Sequence, residues 1–122
     1  MIIHLKRKIE YPLSVLYIES FQNYLEVHYV NGSKNIVRST LKAITHELPS
    51  SSFLRIHNRL IINLLRVKKY HGNKRGIILE LTDCNRIFNV SRSRVSEFLE
   101  RVVSCDDEIT MLKNDPGYTF LS

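Results

Sequence analysis

A polar island between two short apolar runs constrains the fold of this chain more than any other feature. The stretch occupies residues 53–63 and reads Phe-Leu-Arg-Ile-His-Asn-Arg-Leu-Ile-Ile-Asn. Apolar runs of this length, bounded by polar residues, are typical of buried strands or strand-like turns. The island, His57, Asn58 and Arg59, is therefore predicted to lie at a corner between two anchored segments of backbone. Asn and Arg are also the side chains best shaped for bidentate contacts with base edges, Asn with adenine and Arg with guanine.

Alternating apolar and polar residues predict further short strands on both sides of this stretch. Leu25, Val27 and Tyr29 share one face, and Asn31 and Gly32 then predict a type I′ hairpin turn, in which both residues take positive φ. Residues 19–23 are expected to be a polar break and residues 71–76 a loop. The remaining predicted strands are residues 15–18, 34–38, 67–70, 77–81 and 86–90, with a further edge strand at residues 2–5.

Two segments change from strand to helix periodicity. Ser39 or Thr40 can cap the first helix and Pro49 follows it, whereas Ser91 or Ser93 can cap the second. The apolar faces are Leu41, Ile44, Thr45 and Leu48 in the first and Val95, Phe98, Leu99 and Val102 in the second. Because strands and helices do not alternate, a parallel sheet is disfavoured. The chain is predicted to be mainly β, with many antiparallel strands and two short helices.

The charge of the chain is unevenly distributed. The net charge is +6, but residues 104–122 hold four acidic side chains and one basic side chain, which leaves 17 basic and 8 acidic side chains in the remainder. Between Glu47 and Glu80 there are seven Lys or Arg residues and no acidic residue. Such a stretch indicates a polyanion partner, because neutralised phosphates release condensed counterions. A basic surface that only keeps the protein soluble is the alternative.

Other classes of protein find little support in the sequence. The 122 residues suit one domain, and the apolar runs are too short to span a membrane. The first residues do not form a secretory signal, so a cytoplasmic protein is expected. Cys84 and Cys105 show no CxxC spacing and no clustering with histidine, and they are interpreted as free thiols. The five histidines do not have the spacing of a zinc site, and no nucleophile or phosphate-loop motif is present. We therefore expect no enzyme activity, no metal and no cofactor.

Three polar clusters fall at breaks between the predicted elements, and together they form the candidate binding residues. The third cluster precedes the last helix, where free backbone N–H groups and the positive end of the helix dipole suit a phosphate. An ordinary helix cap with solvated arginines is the alternative for that cluster. The clusters are Gln22, Asn23 and Tyr24, then His57, Asn58 and Arg59, and finally Ser91, Arg92 and Arg94.

The order of several short motifs resembles the LytTR family of DNA-binding domains. The Phe-x-Arg-x-His motif of residues 53–57, with the Ile-Asn step at residues 62–63, is the most specific of them. The other motifs are Leu-Tyr-Ile-Glu-Ser at residues 16–20, Asn-Tyr-Leu at 23–25, Thr-Leu to Leu-Pro at 40–49 and Val-Ser-Arg at 90–92. The resemblance divides the chain into a basic lead-in or linker end (1–12), a LytTR-like domain (13–103) and an acidic extension (104–122).

The resemblance implies an elongated fold of about ten strands in small stacked sheets. It also implies a transcription regulator that inserts loops into successive major grooves of double-stranded DNA. Asn23, Asn58 and one of Arg92 and Arg94 would read bases, whereas His57, Arg59 and Ser91 would position the backbone.

Relatives commonly follow a receiver domain of a bacterial two-component system and bind direct repeats near promoters. This chain has no room for a receiver, so it would be a stand-alone regulator or the output half of a longer protein. It could bind DNA as a homodimer. The alternatives from other classes are a module for single-stranded DNA or RNA and a protein-interaction adaptor.

Overall fold

A computed structural model describes residues 14–49 and 51–104 of the chain. The helices and strands are β1 (Val15–Phe21), β2 (Tyr24–Tyr29), β3 (Lys34–Val37), α1 (Leu41–Thr45), β4 (Phe53–His57), β5 (Leu60–Asn63), β6 (Val67–Asn73), β7 (Gly76–Leu81), β8 (Ile87–Val90) and α2 (Val95–Ser104). Neighbouring strands are antiparallel and form a five-stranded sheet, β3-β2-β1-β5-β4, and a three-stranded sheet, β6-β7-β8. The predicted mainly-β fold with two short helices is confirmed.

The five-stranded sheet is the central layer and buries side chains on both of its faces. Ile61 and Ile62 are neighbours on β5, yet they belong to different apolar clusters because successive side chains on a strand point to opposite faces. Ile61 packs with Leu41 and Ile44 of α1. Ile62 packs into the larger cluster formed with the three-stranded sheet and α2, which includes Phe88 and Phe98. The sheet is therefore held rigidly between two cores.

Asn63 joins the two layers at the end of β5. Its side chain is fully buried, its Nδ2 donates to the carbonyl oxygen of Val15 at 2.9 Å and its Oδ1 accepts from the backbone N–H of Leu65 at 3.0 Å. The second bond caps a short 3₁₀ turn, Leu64–Arg66, that leads into β6. The Ile-Asn step in the sequence thus has a structural role, because a buried amide needs such partners.

The first helix is capped by one of the two residues predicted for this role, Ser39 and Thr40. Thr40 Oγ1 accepts a hydrogen bond from the backbone N–H of Ala43 at 3.1 Å, so the cap is Thr40. Leu41, Ile44 and Leu48 are buried as predicted. The placement of Thr45 on the apolar face was wrong, because Thr45 is exposed and its hydroxyl donates to the Leu41 carbonyl oxygen at 2.6 Å.

The second helix begins differently from the prediction. Residues 92–94 form a 3₁₀ turn before α2, and the side chain of Ser91 makes no capping hydrogen bond. The backbone of Ser91 is used instead, since its carbonyl oxygen accepts from the N–H of Arg94 at 2.8 Å. Ser93 lies inside the turn, so neither serine caps α2 as predicted. The predicted apolar face is confirmed, with Leu99 half-buried and the other three residues buried.

Three predicted breaks also differ from the structure. β1 continues to Phe21 through the expected polar break, because Glu19 pairs with strands on both sides. In the β2–β3 hairpin only Gly32 has positive φ, at 89°, so the turn is not type I′, and Asn31 instead accepts from the N–H of Ser33 at 2.9 Å. The expected loop at residues 71–76 is mostly strand, and β6 and β7 are joined by only two residues.

Several predictions concern residues outside the described ranges. The edge strand at residues 2–5 and the acidic extension after residue 104 are among them, so the domain boundaries remain predictions. Eight strands are present in the described residues, where the resemblance implied about ten. In these same residues, neither helix has the length and apolar character needed to cross a membrane.

Candidate nucleic-acid interface

The first polar cluster forms the tight turn between β1 and β2. Phe21 pairs with Tyr24, so Gln22 and Asn23 alone make the turn, and both are exposed. Gln22 has a φ of 39°, a conformation that costs a non-glycine residue free energy. Tyr24 is half-buried and stacks on Phe21 with ring centroids 5.5 Å apart. The turn thus presents two amide side chains on a stacked aromatic base.

The second cluster forms the turn between β4 and β5, and Arg55 holds its backbone. Arg55 donates from Nε to the carbonyl oxygen of His57 at 3.3 Å and from a terminal nitrogen to that of Asn58 at 2.6 Å. His57 Nδ1 accepts from the backbone N–H of Arg59 at 3.3 Å, so this imidazole shapes the turn. The side chain of Asn58 projects from this frame and is exposed.

The first two turns are joined directly. The backbone N–H of Ser20 donates to the carbonyl oxygen of Arg59 at 2.9 Å, and Arg59 Nε donates to the carbonyl oxygen of Ser20 at 3.2 Å. The Arg59 guanidinium also lies over the Phe21 ring, 5.4 Å from its centroid. In the sheet order the two turns are separated by two strand spacings, about 10 Å. Their polar side chains are therefore held at a fixed separation.

The third cluster is attached to the same end of the sheet through β4. The backbone N–H of Ser91 donates to the carbonyl oxygen of Ile56 at 2.7 Å, one residue before the second turn. Arg92 is exposed, whereas Arg94 is half-buried near Arg55. Burial lowers the pKa of Arg55 below its usual value, and the nearby positive charge of Arg94 lowers this pKa further. Two guanidinium groups therefore lie close together at this part of the surface.

The structure thus brings all three predicted clusters to one end of the molecule, and we call this surface the turn face. It consists of residues 22–24, 57–59 and 91–94. Its exposed side chains include Gln22, Asn23, Asn58, Arg59 and Arg92. The other predicted residues, Tyr24, His57, Ser91 and Arg94, are half-buried. These four are better placed to support the face than to reach far beyond it.

An acidic side chain close to the turn face is paired with an arginine. Arg86 makes a bidentate pair with Glu19, with nitrogen–oxygen distances of 2.7 and 3.1 Å. The guanidinium also lies over the rings of Tyr17 and Phe88, at 5.3 and 4.9 Å from their centroids. Hydrogen bonding to Arg86 lowers the pKa of Glu19, with burial opposing it. The carboxylate therefore stays ionised and paired, and it offsets little of the positive charge of the turn face.

Two basic residues at this end of the molecule were not among the predicted site residues. Arg55 was assigned no role, although its place in Phe-x-Arg-x-His, two residues before the turn, could have suggested one. The second is Arg75, next to Lys74 in the two-residue turn of the β6–β7 hairpin. Ile77 pairs with Val90, so this turn extends beyond the end of β8, where the third cluster starts. The sequence signal for this exposed basic turn was the pair of glycines, Gly72 and Gly76, on either side of Lys74 and Arg75.

The β6–β7 hairpin requires Gly72 for its close approach. This residue has a φ of 133°, and a Cβ at its position would collide with the carbonyl oxygen of Gly76 on the opposite strand. Asn73 Oδ1 then accepts from the backbone N–H of Arg75 at 2.8 Å. The exposed basic pair at the turn is therefore held on a defined backbone.

In residues 14–49 and 51–104, no group of three or more His, Cys, Asp or Glu side chains is arranged to hold an ion. What the surface offers is amide groups and guanidinium groups on short, connected turns, a chemistry that suits base edges and phosphates.

A small antiparallel β domain with a cationic face of connected turns has a surface chemistry suited to nucleic acid. The profile of the LytTr DNA-binding domain matches residues 6–102, which is most of the chain. The chain therefore belongs to the LytTr DNA-binding domain family. As a member, it is a DNA-binding domain.

A solved structure has the same fold. It is the LytTr DNA-binding domain assigned to a methyl-accepting/DNA response regulator from Bacillus cereus. The two chains superpose with a TM-score of 0.65 and share 22% sequence identity, over 73% of this chain and 81% of the other. A comparison with curated proteins found no match.

Proposed function

We propose that this chain is a sequence-specific regulator of transcription that binds double-stranded DNA through the turn face. The observation that carries the proposal is the direct connection between the turns, in which Ser20 and Arg59 join the first two and Ser91 attaches the third to Ile56. Base recognition requires side chains held in register with base edges. Turns that are fixed to one end of the sheet can hold their side chains in this way.

Asn58 and Asn23 are the base readers in this proposal. Both are exposed, and an Asn side chain can make two hydrogen bonds to the edge of adenine in the major groove. The separation of about 10 Å between their turns is smaller than the major groove, which is about 12 Å wide. Gln22 stands beside Asn23 and has the same amide chemistry. The rise per base pair is about 3.4 Å, so the two turns can address base pairs about three steps apart in one groove.

Arg92 is the better candidate of the two arginines for the adjoining major groove. It is exposed, whereas Arg94 is half-buried close to Arg55. A guanidinium can make a bidentate contact with guanine only if it can leave the protein surface. Arg59, which is engaged by Ser20 and Phe21, serves as a phosphate and positioning residue.

Selection of bound sequences from a random pool of duplex DNA tests this function. We expect a pair of short direct repeats separated by about one helical turn, because that spacing places two copies of the chain on one side of the duplex, as in a homodimer on DNA. Failure to recover any motif would contradict sequence-specific binding. This activity belongs in a bacterial cytoplasm, where a stand-alone regulator or the output half of a two-component protein could supply it.

Substitutions then separate base reading from charge attraction. Asn58→Ala is expected to cost about 1–3 kcal/mol on the selected site and much less on unrelated duplex DNA. Arg92→Ala should behave in the same way, while Arg94→Ala should reduce both affinities. Equal losses on both duplexes for Asn58→Ala would reduce its role to a contact with the backbone of DNA.

A module for single-stranded nucleic acid would need free aromatic faces on which bases stack. The aromatic side chains near the turn face are already used, since Tyr24 stacks on Phe21 and Arg59 covers the Phe21 ring. Tyr70 is 40% exposed, but it packs edge-on against Phe98 at 5.2 Å. We therefore expect duplex DNA to compete successfully against single-stranded RNA of equal length.

A further inference from the structure

A groove beside the turn face shares Arg94 with it, but the apolar floor of the groove has no role in the proposed contact with DNA. It lies between α1, the edge strand β4 and α2, and its volume is about 320 Å³. Its floor is apolar and comes from both cores, with Leu48, Phe53, Leu54 and Ile61 among the lining residues. The floor is thus suited to apolar side chains or a similar apolar ligand.

The rim of the groove has more basic than acidic side chains. Lys42, Arg55, Arg94 and Arg101 line it, together with Thr45, His46 and one carboxylate, Glu97. Glu97 lies 3.9 Å from Arg101, and Arg101 also donates to the carbonyl oxygen of Phe53 at 3.3 Å. In the part of the chain that the structure describes, the ion pairs do not involve the other three cations. A partner of this groove should therefore be acidic as well as apolar.

The chain itself contains a segment with this composition. Residues 105–112 read Cys-Asp-Asp-Glu-Ile-Thr-Met-Leu, in which three consecutive acidic side chains precede three apolar ones. This segment begins directly after Ser104, the last residue of α2, and Arg101 is only three residues earlier. Charge complementarity therefore favours it over an unrelated ligand.

The length of this segment is also compatible with docking in the groove. From Arg94 to Arg101 the helical chain rises about 10 Å along its axis. An extended chain spans about 3.3 Å per residue, so residues 105–112 can turn back at Ser104 and pass both arginines. A tethered segment has an effective concentration on the order of millimolar, so that even weak intrinsic binding would populate the docked state.

We propose that the acidic segment of residues 105–112 binds in this groove of its own chain and competes with DNA for the cationic surface at Arg55 and Arg94. The second half of this statement rests on the proposed function. The docked segment places negative charge beside the turn face, because Arg55 holds the second turn and Arg94 lies in the third. Release of the segment then increases the affinity for DNA.

Paramagnetic broadening in the full chain tests the docking without DNA. Both native cysteines are replaced in a C84S/C105S/T110C variant, and a nitroxide is attached at position 110. We expect strong broadening of the amide signals of Thr45 and His46 on the groove, and little at Ser33, in the distant β2–β3 turn. Equal broadening at the two places, or broadening that passes between labelled and unlabelled molecules, overturns docking within one chain.

Matched charge reversals show whether the groove is responsible. Lys42 and Lys34 are both exposed, but only Lys42 lines the groove. In the labelled chain, Lys42→Glu should reduce the broadening at Thr45 and His46, and Lys34→Glu should leave it unchanged. The same effect from both substitutions would indicate attraction by net charge alone and would contradict a defined docking site.

The proposed competition with DNA is tested with a D106N/D107N/E108Q variant of the full chain. If the segment occupies the groove for about four fifths of the time, this variant should bind its duplex about fivefold more tightly. Broadening at the groove with unchanged affinity would overturn the competition with DNA. A chain that binds no duplex in either form would contradict the proposed function, and the broadening measurement would still decide the docking.

Discussion

Ser20 and Arg59 form a reciprocal pair across two turns that are far apart in the sequence. The Ser20 N–H donates to the Arg59 carbonyl oxygen at 2.9 Å, and the Arg59 side chain donates back to the Ser20 carbonyl oxygen at 3.2 Å. The turn that contains Gln22 and Asn23 and the turn that contains Asn58 therefore move as one unit. In the proposed contact with DNA, such coupling would keep the two separate loops at a fixed spacing.

Arg59→Ala should therefore reduce both stability and DNA binding. The variant loses a side-chain hydrogen bond and the contact with the Phe21 ring, at a cost of about 1 kcal/mol in the free energy of unfolding. Urea unfolding measures this loss, and titration of selected and unrelated duplexes should show weaker binding to both. Asn58→Ala is the control, because its exposed side chain should leave stability within about 0.5 kcal/mol of the original. A loss confined to the selected duplex would make Arg59 a base reader instead.

Arg75 should act as a phosphate contact that is independent of sequence. Its turn is exposed and extends beyond the end of β8. Arg75→Ala is expected to weaken binding to selected and unrelated duplexes alike and to reduce the slope of log affinity against log salt by about 1. Lys34→Ala is the matched control, because Lys34 follows the β2–β3 turn, at the opposite end of β2 from Gln22. An unchanged salt slope for Arg75→Ala would contradict this placement.

The sequence predicted the parts of the fold that depend on local pattern. The alternation of Leu25, Val27 and Tyr29 gave the buried face of β2 correctly, because strand periodicity is a property of neighbouring residues. The predicted positive φ of Asn31 was wrong. The side chain of Asn31 instead accepts a hydrogen bond from the N–H of Ser33, which is also a local interaction. Local pattern alone could not distinguish these two outcomes.

The candidate site shows a different limit. The three clusters were found because polar residues interrupt apolar runs, but their joining at one end depends on strand order. The role of Arg55 could not be predicted, because its bonds to the carbonyl oxygens of His57 and Asn58 require the actual turn geometry. The extension of β1 to Phe21 was missed for a similar reason, as Glu19 looks polar in sequence and is paired with Arg86 in the structure.

The pair of Glu19 and Arg86 makes stability depend on pH. Because Arg86 lowers the pKa of Glu19 in the folded state, the pair stabilises the fold above the unfolded pKa of about 4.3 and loses this effect as pH falls through the folded value. Glu19→Gln should therefore cost about 1 kcal/mol at pH 7 and progressively less below about pH 4. Urea unfolding at several pH values measures the difference between the two proteins. Glu97→Gln, which affects a more exposed pair, should show less than about 0.5 kcal/mol at any pH. A cost for Glu19→Gln that stays constant down to pH 2 would mean that packing, not charge, holds Glu19.

Asn63 should be the polar position in the described residues where substitution lowers stability most, although it lies outside the turn face. Its buried side chain bonds to Val15 and Leu65, so Asn63→Ala leaves a carbonyl oxygen and an N–H without these partners in the interior. Each such group costs about 1–3 kcal/mol, and we expect a total loss of about 3 kcal/mol in the free energy of unfolding. Asn35→Ala is the matched control, because Asn35 is half-buried and donates to the Tyr29 hydroxyl at 3.0 Å, where water can replace it. Its cost should stay near 1 kcal/mol or less. The Asn63→Ala protein that remains folded should keep its preference for the selected duplex, and a loss of that preference with normal stability would show that Asn63 takes part in recognition.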